Sequence, residues 1–128
     1  MKAPLTRVEF THLPKVLYPE AGITKLQLIK YFIRMAPRIL PFLAGRPLVL
    51  TRYPDGVGGE GFYEKDAPLG TPDWVETWPH YSETAERVVH YIVCNSLDTL
   101  LWIANLDALE IHLILSPVSA PENPDILF

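Results

Sequence analysis

Pro47-Leu-Val-Leu-Thr-Arg-Tyr53, continued by Pro54-Asp-Gly-Val-Gly-Gly-Glu-Gly61 and Phe62-Tyr-Glu-Lys65, is the stretch on which the fold turns. An apolar and aromatic run meets a glycine-rich loop, and a second aromatic run follows. That order predicts a hairpin-like pair of strands with a glycine-rich tip. Downstream, Trp74-Val-Glu-Thr-Trp78 and Arg87-Val-Val-His-Tyr-Ile-Val93 alternate and predict another antiparallel pair, joined through residues 79–86. Between the two pairs, residues 66–73, with Pro68, Gly70 and Pro72, read as a connector. Val8-Glu-Phe10 reads as a short strand, Leu109 to Leu115 as a half-buried one, and Asp125-Ile-Leu-Phe128 as the beginning of another.

Helices flank this sheet. Thr24 is a plausible N-cap, and Leu28, Phe32, Met35 and Ile39 then share one face at helical period. Pro37 and Pro41 are expected to kink or break the helix, and Gly45 to stop it. Asn95, with Asp98 three residues on, resembles a capped start for a second helix, whose buried face holds Leu97, Leu100, Leu101 and Ala104. The order of elements predicts an α+β fold, mostly antiparallel sheet with a few packed helices, as a single domain over residues 1–128.

Composition places the chain among globular domains. Its 128 residues are 48% hydrophobic and 20% charged, enough to build one core. No apolar run approaches the roughly 20 residues that cross a bilayer, and residues 1–7 lack the apolar stretch of a signal peptide. The single cysteine, Cys94, forms no internal disulfide and reads as a buried strand residue, so the expected compartment is the cytoplasm.

The net charge of −4 conceals a division. Residues 1–65 hold ten of the eleven lysines and arginines against five acids, whereas residues 66–128 hold one base against ten acids. Such a split suggests a polyanionic partner for the first half, unless folding interleaves the halves and cancels the fields.

Three constellations carry chemical content. In Leu13-Pro-Lys-Val-Leu-Tyr-Pro-Glu-Ala-Gly-Ile-Thr-Lys25, two lysines flank a Tyr-Pro turn, and Lys25 stands at the mouth of the first helix. A lysine there opposes the helix dipole, yet with free backbone N–H groups it can hold a phosphate; the plain alternative is a solvated loop. The glycine loop lacks the Gly-Lys-Ser/Thr of a P-loop and reads as a turn. Around it, however, stand Arg52, Tyr53, Phe62, Tyr63 and Lys65, a mix of cations and aromatic faces suited to unpaired bases. Strand alternation puts one of Phe62 and Tyr63 in the core. Finally, Glu110 and His112 share a strand face, as a structural pair or an acid–base pair; two ligands are too few for a metal site. His12, His80 and His90 have no evident partners.

Taken in order, the Leu13–Lys25 segment, Leu43-Ala-Gly-Arg-Pro-Leu48, Arg52-Tyr-Pro-Asp-Gly-Val57, Gly61-Phe-Tyr-Glu-Lys65, Leu100-Leu-Trp-Ile-Ala-Asn105 and Leu109-Glu-Ile-His112 resemble the polymerase domain of ligase D. That family joins broken DNA ends and belongs to the archaeo-eukaryotic primase superfamily. The resemblance implies the N-terminal lobe of a primase-polymerase fold. It implies that Lys15 and Lys25 bind the 5′-phosphate beyond a gap or break, and that Phe62 and Tyr63 pack on template bases. It further implies that Arg52, with Lys65, positions DNA and the primer strand, and that His112 lies near the incoming nucleotide. Thr51 departs from the family, some of whose members carry a base there. The catalytic Asp-x-Asp pair of the family, which binds the Mn²⁺ or Mg²⁺ ions that brace the nucleoside triphosphate, is expected beyond Phe128. No catalytic carboxylate is therefore assigned to this chain, which alone is not expected to extend a primer.

The implied partners are DNA with 5′-phosphorylated gaps or breaks, a DNA ligase, Ku and a second polypeptide carrying the catalytic half. No membrane is implied, and the implied setting is cytoplasmic and nucleoid-associated. Three readings stay open: the DNA-end recognition portion of a nucleotidyltransferase in non-homologous end joining, a standalone non-catalytic DNA-end binding module, and an inactive remnant.

Overall fold

The computed structural model describes residues 6–126. A small antiparallel pair, β1 (Val16–Tyr18) and β2 (Ile23–Thr24), leads directly into helix α1 (Lys25–Leu43). Then follow β3 (Pro47–Arg52), β4 (Phe62–Glu64), β5 (Thr77–Ser82), β6 (Arg87–Val93), α2 (Leu97–Asn105) and β7 (Ala108–Leu113). The last five strands form one sheet in which every pairing is antiparallel. β3 is its axis. Leu50, Thr51 and Arg52 pair with β7 on one side and β4 on the other, while Pro47 and Leu48 pair with β6, which leads on to edge strand β5. The expected α+β class and the central β3–β4 hairpin are both present.

The core lies between this sheet and the helices. Leu48 and Leu50 of β3 pack with Ile29, Ala36 and Leu43 of α1 and with Leu100, Leu101 and Ile103 of α2. α2 is buried almost all round from Thr99 to Ala104, a wider apolar face than four residues at helical spacing suggested. Cys94 is fully buried just after β6, and burial pushes its thiol up to about 12.

Several local expectations are corrected. Pro37 and Pro41 do not break α1, which runs unbroken for 19 residues. Both prolines are exposed and four apart, so the carbonyls they leave without an amide partner face water. Val8-Glu-Phe10 is not a strand. Its neighbourhood is held by side chains instead: Thr11 N–H donates to Asn105 Oδ1 at 2.9 Å, and Arg7 Nε to Asp98 Oδ2 at 2.7 Å. β5 begins at Thr77, later than Trp74, and carries Pro79 within it, tolerated because β5 is an edge strand. The N-cap of α2 is Ser96, whose Oγ accepts from Thr99 N–H, and Asn95 is used to bridge Gly45 N–H and Glu76. Of the strand expected from Asp125 to Phe128, Asp125 and Ile126 are irregular; the rest lies outside the described residues.

Two carboxylates tie distant segments together and set an acid limit on stability. The His90 amide holds the Asp66 carboxyl below its ordinary 3.8; burial acts upward, and Arg87 adds to the lowering. At Asp98 burial acts upward, and hydrogen bonds from Arg7 and Thr6, with the charge of Arg7, outweigh it. Both groups have folded pKa values below their unfolded ones. Their contribution is therefore present above the ordinary value and is lost as pH falls through the depressed ones. Urea midpoints measured from pH 5 downward are expected to drop below about pH 4, and Arg7→Ala is expected to flatten that drop. An unchanged acid limb in Arg7→Ala would contradict the assignment to Asp98.

Candidate nucleic-acid interface

The β1–β2 pair brings Lys15 and Lys25 to the same place. Thr24 caps α1 through a reciprocal box: its Oγ1 accepts from Gln27 N–H, and Gln27 Oε1 accepts from Thr24 N–H. The amides of Lys25 and Leu26 donate to the carbonyls of Lys15 and Leu13, at 2.8 and 3.1 Å. The first N–H groups of α1 are thus already engaged, and the helix mouth offers no free amides from Lys25, Leu26 or Gln27 for an anion. Whatever anion binding occurs here falls to the side chains.

Those side chains converge on one carboxylate. Lys15 Nζ donates to Asp107 Oδ2 at 2.5 Å and to the Pro54 carbonyl at 2.8 Å. Lys25 Nζ donates to the Asn105 carbonyl at 2.9 Å and lies 3.0 Å from Asp107 Oδ1. That oxygen has no aligned hydrogen-bond donor among the described residues, so its contact with Lys25 is ionic. The Lys15 side chain is 28% exposed and that of Lys25 only 1%. Burial pushes the Lys25 ammonium below its ordinary pKa; Asp107 opposes this, and the charges of Lys15 and Arg52 add to it.

Arg52 extends the cluster. Its Nε donates to the Leu106 carbonyl at 3.0 Å, its Nη1 lies 3.2 Å from Glu64 Oε1, and its guanidinium sits 5.0 Å over the Phe62 ring. The turn after β3 packs against β1, with Val57 N–H donating to the Leu17 carbonyl at 2.8 Å. Gly56 has φ +84°, and a Cβ there would stand 2.8 Å from the Leu17 carbonyl oxygen, so this glycine is required by both conformation and contact.

Thr51 faces the other way, and a second cluster forms on that side of the sheet. Thr51 Oγ1 is 3.1 Å from His112 Nε2, which is 3.3 Å from Glu110 Oε1. Tyr53 OH donates to Glu110 Oε2 at 2.5 Å, which raises the phenol pKa, and the Tyr63 and His112 rings are 5.7 Å apart. The expected pairing of Glu110 with His112 is therefore present.

The expectation that one of Phe62 and Tyr63 is core is corrected. They do point to opposite faces, Phe62 beside Arg52 and Tyr63 beside His112, but they are 43% and 63% exposed. The reason is position: β4 is a short edge strand, and neither of its faces is covered. The expected site residues thus divide between two faces of one sheet, joined around the β4 edge. Lys65 follows β4, half-buried.

The charge division interleaves in part. Arg7, Lys15, Lys25 and Arg46 of the basic half pair with Asp98, Asp107 and Asp125 of the acidic half. Lys30, Arg34 and Arg38 remain exposed along α1, with no ion pair among the described residues. Among those residues no group of three His, Cys, Asp or Glu side chains is placed to hold a metal ion.

Sequence reasoning missed Asp107. Its signal was its place just past α2, where Gly or Asn usually takes the left-handed conformation; Asp107 takes it at φ +62°.

Residues 24–128 match the family described as LigD, primase-polymerase domain. The multifunctional non-homologous end joining protein LigD of Mycolicibacterium smegmatis is 37% identical over 108 residues, covering 83% of this chain and 14% of that protein. The bifunctional LigD of Bacillus subtilis is 33% identical over 121 residues, covering 94% and 19%. The chain thus spans less than a fifth of the length of these curated relatives. Among solved structures, the polymerase domain of Mycobacterium tuberculosis ligase D in complex with DNA superposes with a TM-score of 0.79 at 34% identity, over 93% of this chain and 42% of that one. With a family match over most of its residues and a shared fold at that identity, the chain belongs to the LigD primase-polymerase family.

Proposed function

We propose that this chain is the DNA-end recognition portion of a LigD-type primase-polymerase acting in non-homologous end joining, and that Lys15 and Lys25 form its pocket for a 5′-phosphate. The observation that carries this reading is the convergence of two ammonium groups on a single anion, 2.5 and 3.0 Å from its two oxygens. Two cations so placed make a binding geometry for an oxyanion. Arg52 and the exposed Phe62 ring continue the pocket to the β4 edge, where a template base would stack. Around that edge, Tyr63 and His112 would meet the template and the incoming nucleotide. Arg52, with Lys65, would position the primer strand. The row Lys30, Arg34 and Arg38 would add backbone contacts that steer DNA to the site. The match to a ligase D polymerase domain in complex with DNA supports the same class of ligand.

The test is fluorescence anisotropy on gapped DNA with and without a phosphate at the downstream 5′ end. The phosphorylated DNA is expected to bind about tenfold or more tightly, the worth of one or two charge-assisted contacts. Equal affinities would overturn the pocket.

A further inference from the structure

Asp107 occupies the position of the anion that the pocket is built to receive. Its carboxylate bridges Lys15 and Lys25: Oδ2 accepts a hydrogen bond from Lys15 Nζ, whereas Oδ1 has no aligned donor and meets Lys25 by charge alone. Its backbone is anchored separately. Tyr53 N–H donates to the Asp107 carbonyl at 2.8 Å, and the Asp107 amide donates to Ala104 at 3.0 Å. The turn at Asp107 is therefore held by backbone bonds that do not involve its carboxylate. Buried Lys25 is shielded from solvent with Asp107 in position, whereas Lys15 stays partly open.

We infer that Asp107 is a built-in competitor for the 5′-phosphate, a residue that sets how strongly the pocket binds its ligand and that must be displaced for both lysines to reach it. This rests on the phosphate-pocket reading above. A phosphate monoester carries a charge of about −1.5 to −2 against −1 for a carboxylate, so it can win the two ammonium groups. It does so only after replacing an ion pair already made, and it then stands near a like charge.

The experiment compares wild type with Asp107→Asn and Asp107→Gly, two residues that accept a positive φ, on gapped DNA with a 5′-phosphate or a 5′-hydroxyl. The preference for the phosphorylated DNA is expected to rise about fivefold or more in both variants, with little change for the 5′-hydroxyl DNA. Lys15→Ala in the same assay separates the two claims. If Lys15→Ala abolishes the preference while both Asp107 variants leave it unchanged or lower it, the pocket stands and the competitor is overturned. If wild type itself shows no preference, both fall. Loss of folding in both Asp107 variants would make Asp107 an obligatory counter-ion for buried Lys25 and would likewise overturn the competitor.

Discussion

In Lys15→Ala, the preference for 5′-phosphorylated over 5′-hydroxyl gapped DNA is expected to collapse by about tenfold, equivalent to about 1.4 kcal/mol. The magnitude follows from what the side chain does before and after binding. A hydrogen bond to a charged group contributes about 1.5–3 kcal/mol, and Lys15 is the more exposed of the two ammonium groups. It must first release Asp107 and the Pro54 carbonyl, which brings the net effect just below that range. Affinity for DNA lacking the phosphate is expected to change little, because Lys30, Arg34 and Arg38 are untouched. A parallel loss for both DNAs would assign Lys15 to general electrostatic attraction. A circular dichroism spectrum matching wild type would exclude unfolding as the cause of the loss.

The second large effect is on stability. Leu50→Ala is expected to destabilise the domain by about 2–5 kcal/mol in urea unfolding, a large part of the roughly 5–15 kcal/mol typical of a whole domain. Leu50 is fully buried in β3, paired to both β4 and β7, and packed in the core beneath α1 and α2. Truncation removes contacts on every side and leaves a cavity that the sheet axis cannot close. Phe62→Ala, on the exposed edge, is expected to cost less than about 1 kcal/mol while weakening template binding. The reverse order of stability losses would mean that the β4 aromatics belong to the core.

Local pattern carried the hairpin, both helices and the antiparallel class, because each rests on short-range chemistry: alternation, an N-cap at Thr24, a glycine stop at Gly45. It failed where a long-range partner decides. Val8 to Phe10 reads as strand until Asp98 and Asn105 fix the neighbouring chain with their side chains. Pro37 and Pro41 read as breaks until the packed helix shows both on its wet face. Phe62 and Tyr63 read as one in, one out until β4 turns out to be an edge with neither face covered. At the candidate site, type and spacing singled out the two lysines, Arg52 and His112, while the roles expected of them came from the family resemblance. Their counter-charge was not legible, because Asp107 reaches them only after the chain has turned back past α2.

The central claim is that Lys15 and Lys25 receive the 5′-phosphate, and lysine side-chain NMR tests it most directly. With lysines labelled at Cε, gapped DNA carrying the 5′-phosphate is expected to shift the Lys15 and Lys25 resonances, whereas the same DNA with a 5′-hydroxyl is expected to leave both nearly in place. Identical shifts with the two DNAs, or shifts confined to Lys30 and Lys65, would contradict it.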